Sequence, residues 1–176
     1  MPPLMLRIAA EAWKGYTAPD AAALNRFVVQ DWPDFPFLRD GMTLHAMRYP
    51  STRNGLGEVE QRAMAGIDAG ASDFGSLFAR FDANPPRYGF GDGEFLRHLR
   101  RLASCAVPMI TINESGETTP PKALFGITPA GRKVLAGEAD FIELNNAGFW
   151  FGGALLKAGH LWRWDPQGRE LRLQEQ

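Results

Sequence analysis

DGEFLRHLRRLASCAVPMITINESGETTPPKALFGITPAGRKVLAG runs from Asp92 to Gly137, and its reading decides the fold. Phe95, Leu96, Leu99, Leu102 and Ala103 recur at steps of three and four, the period of a helix with one apolar stripe. Arg97, His98, Arg100 and Arg101 make its polar side. The spacing predicts a helix over 92–104. Met109 to Ile112 is β-rich, and Ala123 to Ile127 follows as a second strand. Between them, Asn113 to Pro121 is polar, holds one glycine and ends in two prolines, as an exposed hairpin loop does. Thr128 then caps a short helix, with Pro129 at its first position and Gly137 just past its end.

Two helices are expected upstream. From Leu56 to Ile67, the residues Leu56, Val59, Ala63 and Ile67 share one face, and Glu58, Glu60, Gln61 and Arg62 fall on the other. Asp73 opens the next helix, where a carboxylate accepts bonds from free backbone N–H groups. Phe74, Leu77, Phe78 and Phe81 follow on one stripe and read as core. Three helices, a hairpin and a closing helix come in the order of a winged helix. The run Phe125-Gly-Ile-Thr-Pro-Ala-Gly-Arg-Lys-Val-Leu resembles the strand-to-helix exit of many bacterial winged-helix proteins. One feature departs from a helix-turn-helix. The link from Asp82 to Gly91 holds Pro85 and Pro86 and is longer than the usual turn.

Outside this stretch, Leu4–Lys14, Asp20–Gln30 and Phe37–Tyr49 read as helices, broken by prolines between Asp31 and Pro36 and at Pro50. After Gly137 the chain becomes aromatic. Phe149-Trp-Phe-Gly-Gly-Ala-Leu-Leu, the alternating His160–Asp165 and the short Leu171–Leu173 run read as small antiparallel strands separated by turns. The expected class is α+β, mainly helical. A winged helix-turn-helix core at 51–137 carries an N-terminal helical region at 1–50 and a C-terminal aromatic β segment at 138–176.

The chain has 176 residues and a formal net charge of −1. This near-neutral balance gives no global attraction to nucleic acid, so any such binding rests on a local patch. A single cysteine, Cys105, excludes an internal disulfide. No apolar run reaches the ~18 residues of a membrane span. The N-terminus lacks the pattern of a signal peptide. The expectation is a cytoplasmic protein with no membrane partner.

Few motifs suggest chemistry. Gly89-Phe-Gly-Asp-Gly precedes a helix, but the glycine spacing is wrong for a dinucleotide loop and Asp92 would repel an anion, so it reads as a turn. His45, His98 and His160 share no ligand spacing, and Cys105 sits in an apolar helix end as a buried thiol. No nucleophile elbow or catalytic triad is visible. Neither a cofactor, a metal nor a catalytic residue is assigned, and catalysis is not the expected role. Trp150, Trp162 and Trp164 read as core between a sheet and a helix layer.

Two functions fit. The first is DNA binding or regulation, through Arg97, Arg100 and Arg101 on the third helix with Lys122, Arg132 and Lys133 nearby. Against it, the hairpin loop carries Glu114 and Glu117 and no basic residue, which suits a polyanion poorly. The alternative is a protein-interaction or assembly module, meeting a partner or a second copy, with no nucleic acid and no catalysis.

Finally, Pro50-Ser-Thr-Arg-Asn-Gly-Leu, Val134-Leu-Ala-Gly-Glu-Ala-Asp and Trp150-Phe-Gly-Gly with Trp162-Arg-Trp-Asp resemble runs in the C-terminal half of an uncharacterised bacterial domain-of-unknown-function family. The similarity runs from about Ala12 onward. It implies a further α/β domain before this region in the longer relatives, which is where any catalysis would be expected, and it supplies no activity. Relatives carry a charged residue where Phe149 stands here.

Overall fold

The computed structural model describes residues 3–81, 87–115, 122–146, 148–156 and 160–174. In chain order the elements are α1 (Pro3–Thr17), α2 (Ala22–Val29), α3 (Leu38–Ala46), α4 (Glu58–Asp68), α5 (Phe74–Phe81), α6 (Asp92–Ser104), β1 (Ile110–Ser115), β2 (Lys122–Ile127), α7 (Pro129–Ala136), α8 (Phe141–Asn145), β3 (Phe149–Phe151), β4 (Ala154–Leu156), β5 (Leu161–Asp165) and β6 (Glu170–Gln174). The fold is α+β and about half helical. Among the described residues its sheets are three antiparallel pairs, β1–β2, β3–β4 and β5–β6. The chain divides into two compact units, residues 54–145 and residues 1–53 with 146–176.

In the 54–145 unit, α6 covers the predicted 92–104. Phe95, Leu96, Leu99 and Leu102 are buried, as their spacing requires. Asp73 starts α5, its Oδ1 accepting from Ser76 N at 3.0 Å. Thr128 Oγ1 accepts from Gly131 N at 2.9 Å, and Gly137 closes α7 at φ 84°, a left-handed position that glycine adopts freely. The hairpin pairs Ile110 with Ile127 through Ser115 with Lys122. A third segment joins it: Asp73 bridges to Leu124, and Phe125 N donates to Ser72 O at 2.8 Å. The hairpin is thereby anchored to the link between α4 and α5. The tip at 116–121, with Glu117, and the prolines of the α5–α6 link lie outside the described residues.

Two of the sequence runs meet in this unit. Asn54 is buried; its Nδ2 donates to Val134 O at 2.9 Å and to Gln61 Oε1 at 2.8 Å, while its carbonyl accepts from Phe141 N. Gly55 has φ 74°, and a Cβ there would lie 2.6 Å from Asp140 Oδ1. That same oxygen caps α8 through Ile142 N. Thus Asn54-Gly55 and Val134–Asp140 form a structural clasp.

The other unit joins the two ends of the chain. Ile8, Ala12 and Gly15 of α1 face inward, and Gly15 lets α1 approach Ala23 and Phe27 of α2. Asp20 Oδ1 accepts from Ala22 N at 2.7 Å at the start of α2. Trp164 N donates to Pro50 O and Thr52 N donates to Trp164 O, so residues 50–52 lie along β5 while β6 holds its other edge. Arg163 Nη1 adds a bond to Ser51 O at 3.0 Å. All five residues of β5 are buried, and the expected inward–outward alternation is lost.

The tryptophan cluster also divides. Trp162 and Trp164 are core, but Trp150 is 68% exposed. The cause is strand geometry: successive side chains leave opposite faces. Phe151 stacks on His45 with ring centroids 4.8 Å apart, so its neighbour Trp150 faces outward. Gly152 and Gly153 turn the β3–β4 hairpin against the end of α1. A Cβ on Gly153 would lie 1.9 Å from Thr17 O, which only glycine avoids.

Candidate functional site

The basic face of α6 is the site that the sequence singles out. Arg97, Arg100 and Arg101 are exposed on this one helix. Arg97 Nη2 bonds Glu94 Oε1 of its own helix at 2.6 Å. Arg101 reaches across to Glu60 of α4. Arg132, on α7, pairs with Asp68 at 3.2 Å, Lys133 is exposed beside it, and Lys122 opens β2. Carboxylates thus pair with Arg97, Arg101 and Arg132. By sequence, the unit carries nine Lys or Arg against twelve Asp or Glu, so its field is not that of a polyanion binder.

Glu60 overturns its expected place on the polar face of α4. It is 3% exposed, beneath α6. His98, also expected on the wet side, turns toward it, and Nδ1 lies 2.7 Å from Glu60 Oε1. Phe90 stacks on the His98 ring at 5.6 Å between centroids. His98 and Arg101 are three apart on a helix, so both project from one face to one carboxylate. Burial alone would push the Glu60 pKa up. The His98 bond and the Arg101 charge outweigh burial and hold it down at about 2. A carboxylate ionised across the whole physiological range is no general acid, because that role needs a pKa near the working pH. The arrangement joins α4 to α6.

Other reactive groups also serve packing. His45 lies between Tyr16 and Phe151, each with ring centroids 4.8 Å away. Burial, with the charge of Arg48 adding to it, pulls its pKa to about 4, so it is neutral at pH 7. Cys105 Sγ donates to Leu102 O and Val107 O, and burial pushes the thiol pKa up, away from a reactive thiolate. Among the described residues, no three His, Cys, Asp or Glu side chains are grouped to hold a metal ion. In that same set, no helix is long and apolar enough to cross a membrane.

From the sequence, Leu4, Ile8 and Trp13 can share one face of α1, but Ile8 is buried while Leu4 and Trp13 are exposed. Leu6, Ala10 and Trp13 recur at i, i+4 and i+7 and face solvent, and Trp13 is 65% exposed. Tyr16 stacks on Trp13 at 5.8 Å. The helix therefore has two apolar faces, one packed and one open. The heptad spacing from Leu6 to Trp13 is the signal that could have found it. No family model, curated protein or solved structure matches the chain.

Proposed function

We propose that the chain is an assembly module that pairs with a second copy of itself through the outer face of α1. The observation that carries this reading is the open stripe of Leu6, Ala10 and Trp13, backed by Tyr16. Exposed apolar stripes of this kind mark association surfaces, and tryptophan is a frequent anchor in them. A net charge of −1 puts little repulsion between two copies. Residues 54–145 are the scaffold, built on a winged-helix plan. Support comes from the order α4, α5, α6, β1, β2, α7 and from the bridge that ties the hairpin to the α4–α5 link. We also infer kinship with the uncharacterised bacterial family described above, which brings no activity with it.

Light scattering across a concentration series tests the pairing. The wild-type mass should rise from 19.5 kDa toward twice that value by about 100 µM. Trp13→Ser should remain monomeric with an unchanged circular dichroism spectrum, because the ring is on the surface. A wild-type protein that stays monomeric overturns the pairing, and a Trp13→Ser protein that still pairs overturns the role of α1.

A second reading keeps DNA as the partner of α6. The exposure of Arg97, Arg100 and Arg101 on a single helix favours it. It requires those side chains to exchange Glu94 and Glu60 for phosphates.

A further inference from the structure

A cleft of about 190 Å³ opens in the unit that contains both chain ends. Its walls are Val28 and Val29 at the end of α2, Arg39 and Thr43 of α3, and Gly168 and Arg169 of the β5–β6 turn. Two guanidiniums line it and no carboxylate does. We propose that this cleft binds a small phosphate-bearing molecule, with Arg39, Thr43 and Arg169 as its oxygen ligands.

The three donors come from two directions. Arg39 and Thr43 are four apart on α3, so they share one face. Arg39 is fixed in place: its Nε donates to Val28 O at 3.1 Å and its Nη1 pairs with Asp31. A guanidinium oriented in this way is ordered before any ligand arrives. The Thr43 residue is 9% exposed, and no hydrogen bond joins its hydroxyl to another described residue. Arg169 approaches from the turn. Its backbone has φ 54°, a left-handed conformation that glycine or asparagine adopts at less cost than arginine. Among the described residues, its guanidinium makes no ion pair.

Of the two lining arginines, Arg39 is paired with Asp31, and Arg169 brings the charge that has no carboxylate partner among the described residues; Asp165 and Glu170 both pair with Arg172, at 3.1 and 3.0 Å. Donors set around a space favour a tetrahedral oxyanion over a planar carboxylate, which one guanidinium satisfies edge-on. The volume equals that of about six waters, enough for a phosphoryl group and a few carbons against Val28 and Val29 but too small for a nucleotide.

Calorimetric titration of the full chain with inorganic phosphate tests the site, with acetate and chloride at matched ionic strength as comparisons. Phosphate should bind in the millimolar range or tighter, and acetate should bind more weakly. Arg169→Gly removes the guanidinium while easing the backbone, so it should fold at least as well as wild type. It should lose about tenfold or more in affinity, the worth of one charge-assisted bond. Thr43→Val should lose a smaller factor. Phosphate heats no larger than those of chloride would overturn the site. Equal affinity in Arg169→Gly would remove Arg169 from it, and acetate binding as tightly as phosphate would refute the phosphate assignment.

Discussion

Glu60→Ala is expected to destabilise the protein by about 3–5 kcal/mol, the cost of breaking a buried charge cluster from one side. Glu60 is buried, and both His98 and Arg101 bond to it. Removing the carboxylate leaves a buried imidazole nitrogen and a guanidinium without their acceptor. It also opens a hole between α4 and α6. Arg101→Ala breaks the same pair from its wet end. It should cost less, about 1–2 kcal/mol, because this side chain is 44% exposed and water screens it. Arg100→Ala, on the exposed side, should fall within about 0.5 kcal/mol of wild type. The cluster also sets a pH dependence. Folding holds the Glu60 pKa at about 2, below its ordinary 4.5. A lowered folded value means that the ionised form favours folding, so the contribution is complete above pH 4.5 and is lost as pH falls toward 2. Urea melts of wild type and Glu60→Ala at pH 7 and pH 3 should converge at the lower pH. A constant difference between the two would show that Glu60 acts through shape alone.

Phe95→Ala should cost about 3–5 kcal/mol, the range for truncating a fully buried aromatic ring. Phe95 has no exposed surface, and its ring lies 4.4 Å from Phe81, 5.7 Å from Phe78 and 6.2 Å from Phe74. It is the point where α5 and α6 meet. Phe95→Leu keeps much of the volume and should lose markedly less. Far-UV circular dichroism in urea is the suitable readout, since all five tryptophans belong to the other unit and report on it. The midpoint should fall with little change in slope. A loss below about 1 kcal/mol would mean that the ring cluster collapses around the gap.

Local signals made much of the fold legible. The helix at α6, the Thr128 cap, the Pro129 start and the Gly137 stop are each decided within a few residues, and the structure places them as read. Glu60 has the charge of a surface residue but the spacing of a core one. Glu60, Ala63, Met64 and Ile67 fall at i, i+3, i+4 and i+7, so the carboxylate lies on the inner stripe. Its partners are in a helix far along the chain, and nothing local announces them. His98 is a like case, standing at i+3 from Phe95. Trp150 does not share the burial of Trp162 and Trp164, because strand alternation turns it away from Phe151. The pairing of residues 50–52 with β5 is a long-range contact without a local signature. The same holds for the cleft, whose arginines lie on α3 and on a distant turn.

Whether α6 serves the fold or a polyanion is decided most directly by anisotropy titration of a labelled mixed-sequence duplex. With Arg97 tied to Glu94 and Arg101 to Glu60 in a unit richer in acid than in base, the α6 arginines should give no rise up to about 10 µM protein in about 50 mM salt, where even sequence-independent phosphate contacts would register. A saturating rise in that range, abolished by Arg97→Ala with Arg100→Ala, would contradict this and make α6 a nucleic-acid surface.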